Sequence, residues 1–288
     1  KGMWPGSGGM GGSWSADGVS ANRFQITHMG NTLTLGTFCH ENGHMVVGWP
    51  DLYDYDSGAG NVGAGVGQFD IMCVSGGTNP VEPSAELKRA AGWLTPTALP
   101  GSPTTGISIA SSAGNVAWQY TKNGDEWYLI ENRRQTGRDA NVPDNGLAIW
   151  HIDKTGNNSN EDMLPGSHYY VTLVQADGDW DMENNVNFGD ATDLYAAPTF
   201  TAATPCTDPN TDWWDGTQSD LSITNISASL ATMTFDFSDE DNDPVALVQN
   251  YSADADDDCC ISVAVSDINN GSNDPDGAGD IASLVITH

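Results

Sequence analysis

The chain has 288 residues, with 39 acidic side chains against 9 basic ones and a formal net charge of −30. So acidic a surface repels polyanions, which argues against nucleic acid and anionic lipid as partners. No apolar run approaches the roughly 20 residues that cross a bilayer. The length suits about two domains with a sizeable core. The dense carboxylates suit a secreted protein that binds calcium, or one from a saline habitat.

Taken in chain order, the glycine-rich start around Trp4, Pro5, Gly6, Gly8 and Gly9 reads as loop. A helix is expected over 31–47, capped by Asn31 or Thr32 and free of proline. Leu35, Phe38, Cys39, Asn42 and Met45 or Val46 would form its buried side. The other face carries His40 and His44, four residues apart and therefore one turn above each other. Two imidazoles so placed match the ligand spacing of tetrahedral zinc, and Glu41 lies beside them as a base for a bound water. Gly48 lets the helix stop and the chain turn, bringing Asp51 round as an oxygen ligand. Further on, Phe69, Asp70, Ile71 and Met72 form an apolar, strand-like run that breaks into a turn at Gly76 and Gly77. A methionine at such a turn can floor a metal site, although Met72 alone would read as ordinary core.

Residues 100–238 differ in kind. Short apolar or alternating segments at 106–109, 117–120, 126–131, 146–152, 169–174, 221–223 and 231–237 are punctuated by Gly, Asn, Asp and Pro. That pattern predicts an antiparallel β-sandwich. Between them, Asp177, Asp181, Asp190 and Asp193 offer the hard oxygen ligands that calcium requires. The loop is not an EF-hand, since Met182 and Phe188 stand where such a loop needs glycine and glutamate. His151 and His168 lack partners at ligand spacing and read as hydrogen-bonded structural residues; His28 has no assigned role. Trp213 and Trp214 suggest sugar stacking less than aromatic core packing. Of five cysteines, Cys39 and Cys73 read as buried thiols, and no disulfide is assigned to Cys206, Cys259 or Cys260. From Asp239 an acidic, proline-containing linker leads into strand-like residues 261–265, as at the opening of an immunoglobulin-like repeat.

The run Gly36-Thr37-Phe38-Cys39-His40-Glu41-Asn42-Gly43-His44, with Gly48-Trp49-Pro50-Asp51-Leu52-Tyr53-Asp54, resembles the M6 peptidases, the immune inhibitor A family of secreted bacterial metalloproteases. Residues 85–96, 128–133, 146–153 and 214–217 resemble later parts of the same family. The resemblance implies an α+β protein. Residues 1–99 would be the C-terminal part of a metzincin-like zincin catalytic domain, with zinc helix and Met-turn. Residues 100–238 would be a β-sandwich with a calcium loop, and 239–288 an acidic linker and a truncated Ig-like β repeat. A zincin has a β-sheet ahead of its zinc helix, and the roughly thirty residues before His40 are too few to supply it.

One departure from the general metzincin pattern concerns the third ligand. Asp51 lies seven residues after His44, where the pattern has six. Asp51 is retained because the chain aligns without a gap from Gly48 onward, with Asp54 as runner-up. Glu82 or Glu86 would serve if the site were of the glutamate type. The expected function is a secreted zinc endopeptidase acting on protein or peptide substrates, with Zn²⁺ and Ca²⁺ as its ions. The contrasting reading is a secreted zincin-fold adhesin that has lost activity.

Overall fold

The structure, a computed structural model, describes residues 5–27, 35–55, 63–74, 76–111, 115–158 and 163–239. The expected cap at Asn31 or Thr32, His28, Cys259, Cys260 and the β repeat after Asp239 lie outside the described residues. Among those residues there are two α-helices and ten strands, so the class is mixed and mostly sheet.

The glycine-rich start is not loop. Strands β1 (Gly6–Ala16) and β2 (Val19–Ile26) pair antiparallel. They turn through Asp17 and Gly18, whose φ values are 53° and 77°. Positive φ at both positions is what a two-residue hairpin turn demands, and Asp-Gly supplies it. From β2, Arg23 Nη1 donates to the carbonyls of His44 and Met45 at 3.0 and 3.2 Å, laying the hairpin against the metal-motif helix.

That helix, α1 (Leu35–Asn42), continues as a single π turn over Gly43–Val47. Gly48 ends it at φ 80°, donating its N–H to the Gly43 carbonyl five residues back at 2.9 Å. The buried side is also not the one expected. Gly36, His40, Glu41 and Gly43 are buried, while Phe38 and Val46 face outward. Gly43 explains the choice. A Cβ there would meet Met72 Sδ at 2.5 Å and Trp49 Cε3 at 2.9 Å, so the helix docks by its glycine edge.

After α2 (Ala85–Ala90) the chain is mostly sheet. Strands β3 (Thr97–Ala98), β5 (Trp118–Thr121), β6 (Glu126–Arg133), β7 (Gly146–Asp153) and β8 (Val171–Leu173) form one sheet in the order β3-β5-β6-β7-β8. It is antiparallel except for the β3–β5 pair. Strands β4 (Thr104–Ala110), β9 (Ser222–Thr224) and β10 (Thr232–Ser238) form a second, antiparallel sheet with β10 in the middle.

Strands β6 and β7 are buried along their whole lengths, and the two-residue period of a strand divides their side chains between two cores. Trp127, Leu129, Trp150 and Ile152 join Leu52, Phe69, Met72 and Leu87. Tyr128, Ile130, Leu147 and Ile149 join Ile107, Ile109, Met233 and Phe235 of the second sheet. Residues on both sides of position 99 thus share one core, and the described residues up to Asp239 fall in one compact unit.

A buried ionic cluster fastens this sheet to the metal-motif region. Arg133, fully buried, donates to Asp139 at 2.8 and 2.9 Å, to Glu131 Oε1 at 3.2 Å and to the Phe69 carbonyl at 3.0 Å. Glu131 Oε1 also accepts from Ala85 N and Trp150 Nε1, at 3.2 and 3.0 Å. One guanidinium thus holds β6, the start of α2 and the turn that carries Met72.

Candidate metal centre

His40 Nδ1 lies 2.9 Å from the Ile71 carbonyl oxygen and His44 Nδ1 lies 2.7 Å from that of Trp49. A carbonyl only accepts, so each Nδ1 carries a proton, and Nε2 is the nitrogen whose lone pair a neutral ring offers to another partner. The two Nε2 atoms stand 3.1 Å apart, and each is 2.9 Å from Asp51 Oδ1. Ligands bound at zinc's usual bond lengths in a tetrahedron are about 3.3 Å from one another. Two fixed imidazoles and a carboxylate oxygen therefore form a triangle close to the size that ion takes, and with both imidazoles neutral they could hold it.

After His44 the chain passes through the π turn of Gly43–Val47, and Asp51 arrives opposite both imidazoles. Its other oxygen, Oδ2, accepts from the Tyr55 hydroxyl, and its backbone carbonyl accepts from Asn158 Nδ2 at 2.6 Å. Leu52 N–H donates to the Met72 carbonyl at 2.9 Å, which ties the ligand segment to the floor. Burial pushes the Asp51 carboxyl up, but the two imidazoles and the Tyr55 hydroxyl beside it outweigh burial and hold the group below the usual carboxylate range.

Glu41 is buried beside this triangle. Burial raises its carboxyl above the ordinary value, with the two histidines acting in the opposite direction. Met72, fully buried, lies against Gly43 under the helix. Its segment is not a strand but a tight turn after the 3₁₀ residues Gly67–Phe69. Cys73 and Val74 N–H both return to the Asp70 carbonyl, at 3.1 and 3.2 Å. The buried Asp70 carboxylate fixes that turn by accepting from Met72 N at 2.7 Å and Ser84 N at 2.6 Å. Cys73 is buried, its thiol donating to the Ala64 carbonyl at 2.8 Å.

The alternative ligands are engaged elsewhere. Asp54 is fully buried and accepts from the Tyr169 hydroxyl at 3.1 Å. Glu82 pairs with Lys88 at 2.7 Å, and Glu86 binds Arg89 through both oxygens at 2.7 and 2.8 Å. Asp51 is the acid that joins the two histidines in a metal-sized cluster.

A second such cluster joins Asp177, Asp190 and Asp193. Asp181 is not part of it; its carboxylate accepts instead from Asn187 Nδ2 at 2.7 Å. Thr192 Oγ1 bridges Asp177 and Asp190 at 2.6 and 2.5 Å. Asp193 is 1% exposed and its Oδ1 meets no partner in the protein. Burial, reinforced by Asp190, Asp177 and Asp144, pushes its carboxyl up to about 7.

Sequence reasoning missed Tyr55, Asn158 and Asp144. Asp144 binds Leu194 N at 2.9 Å and feels the charges of Asp190 and Asp177, yet it stands 33 residues before Asp177. Tyr55 had a usable signal, lying four residues after a proposed ligand on the same segment. Neither a protein-family model nor a curated protein matches this chain.

Proposed function

We propose that this protein is a secreted zinc endopeptidase of the immune inhibitor A type, with a metzincin-like site and protein or peptide substrates. The observation that carries the reading is the convergence of His40 Nε2, His44 Nε2 and Asp51 Oδ1 beside buried Glu41. His40, His44 and Asp51 would hold Zn²⁺. When bound, zinc supplies a Lewis acid that brings the pKa of a water towards about 7 and polarises a scissile carbonyl. Glu41 takes the attacking water's proton and returns it to the leaving amine. Its raised proton affinity suits that double duty. Tyr55 engages the second oxygen of Asp51, which favours one-oxygen ligation by that carboxylate.

The test is casein hydrolysis by the purified protein, alongside its metal content, before and after chelation. Stoichiometric zinc and chelator-sensitive hydrolysis that returns with zinc are expected. A zinc-loaded protein with no hydrolysis on any peptide would replace the peptidase with a binding protein of the same fold.

We also propose that Asp177, Asp190 and Asp193 hold Ca²⁺ in a structural role. The orphaned Oδ1 of buried Asp193 supports this, because an unpaired carboxylate oxygen is costly unless a cation meets it. Asp181 would contribute at most indirectly. Calcium should raise the melting temperature of the chelated protein, and Asp193→Asn should abolish that response.

A further inference from the structure

On the face of the five-stranded sheet turned towards the second sheet, Tyr128, His151 and Thr172 line a cavity of about 540 Å³. Its volume falls within the range of ligand pockets, about 300–1,000 Å³. The polar groups at its wall are left over from folding. Glu183 Oε1, Asp212 Oδ1, Thr172 Oγ1 and Trp214 Nε1 are buried and meet no partner in the protein, and Thr172 as a whole is 1% exposed. Three of the four are acceptors, two of them on carboxylates. Lys122, which sits 5.4 Å over the Trp213 ring, is already paired with Glu126 and Asp215.

The side chains around these acceptors are aromatic. Trp180, Trp213 and Trp214 line the same cavity. Among the described residues, the acid and histidine clusters tight enough for one metal ion are the two already given, so a single ion does not account for these separated acceptors. A neutral sugar would hydrogen-bond them but bring no counter-charge to the two part-buried carboxyl groups. A guanidinium brings a charge, five donors in a plane and a face that stacks on indole. Trp214 Nε1, which can only donate, then needs an acceptor such as a peptide carbonyl.

We propose that this cavity binds an arginine side chain presented by a peptide, with the guanidinium meeting Glu183, Asp212 and Thr172 between indole walls. The inference does not depend on the peptidase reading, since none of the residues lining the cavity belongs to the metal triangle.

The experiment is calorimetric titration of the whole protein with Nα-acetyl-arginine methylamide, with its citrulline analogue as the uncharged isostere, and with glucose and calcium chloride. The arginine probe should bind, and the citrulline analogue at least about tenfold more weakly. Asp212→Asn should weaken the arginine probe by about tenfold. Thr172→Val separates fold from site: removing an unpaired buried hydroxyl should leave the melting temperature unchanged or raise it, while arginine binding weakens. Absence of arginine binding, equal binding of citrulline, or binding of glucose or calcium in its place at this cavity would overturn the proposal. So would an Asp212→Asn or Thr172→Val protein that folds and binds arginine as before.

Discussion

Met72 packs against Gly43 so closely that a single methyl group on Gly43 would stand 2.5 Å from its sulfur. The contact joins the floor of the metal centre to the helix between His40 and His44. Gly43→Ala should therefore force Met72 or Trp49 to move, costing about 1–3 kcal/mol of stability. Zinc affinity should fall with it, because both histidines flank the displaced residue. Denaturant melts of the metal-free variant and competition with a chromogenic chelator measure the two effects. A variant with unchanged zinc affinity would show that this contact does not set the ligand geometry.

Glu41→Gln should keep zinc bound and lose at least about 10²-fold of the hydrolytic rate, the lower end of what a positioned base contributes. Equal metal content with full activity would remove Glu41 from the mechanism.

The two nearby aspartates should separate cleanly. Asp51→Ala removes the oxygen that faces both imidazoles and should empty the site at limiting zinc. Asp54→Ala should leave metal content intact and lower stability instead, since its carboxylate is buried with the Tyr169 hydroxyl. Metal analysis after dialysis against a weak chelator decides between them.

Arg133→Met should destabilise by about 3–5 kcal/mol, the range for breaking a buried ion pair from one side. Asp139 and Glu131 would remain buried and lose the guanidinium they share, Glu131 keeping only Lys88 at 3.7 Å as a cation. Chemical denaturation of the metal-free protein gives the figure.

Glu126 should shape the acid limb of stability. Burial raises its carboxyl, but hydrogen bonds from His151, Trp214 N and Lys122 bring it down to about 2. A carboxyl with a lower pKa in the folded state stabilises above its unfolded value near 4.3 and loses that contribution as pH falls towards 2. Glu126→Gln should flatten the melting temperature over that window, with a lower plateau at neutral pH.

The reach of the sequence can be judged from particular residues. The grouping of His40, His44 and Asp51 was legible because their spacing along the chain already sets their geometry. The seven strand-like segments after residue 100 were legible for the same reason, since alternation and turn residues encode a strand locally. The first hairpin was not, although Asp17-Gly18 is a turn signal; its glycines and polar residues hid the strands on either side. The helix's buried side was misread because apolar residues were weighted over Gly43, and close approach decided the packing. The sharing of β6 and β7 between two cores was hidden as well, since their sequences mix apolar and charged residues although both strands are buried along their whole lengths.

That sharing makes the candidate metal centre a tenant of distant packing. Phe235 stands in the far core and Met72 in the near one, with β6 and β7 as the common wall. Residues 1–239 should accordingly unfold in one cooperative step, and damage at Phe235 should be felt as faster zinc loss without any contact to a ligand. By the same reasoning, a piece ending at residue 99 would keep the His-Glu-His residues but lose the wall they lean on.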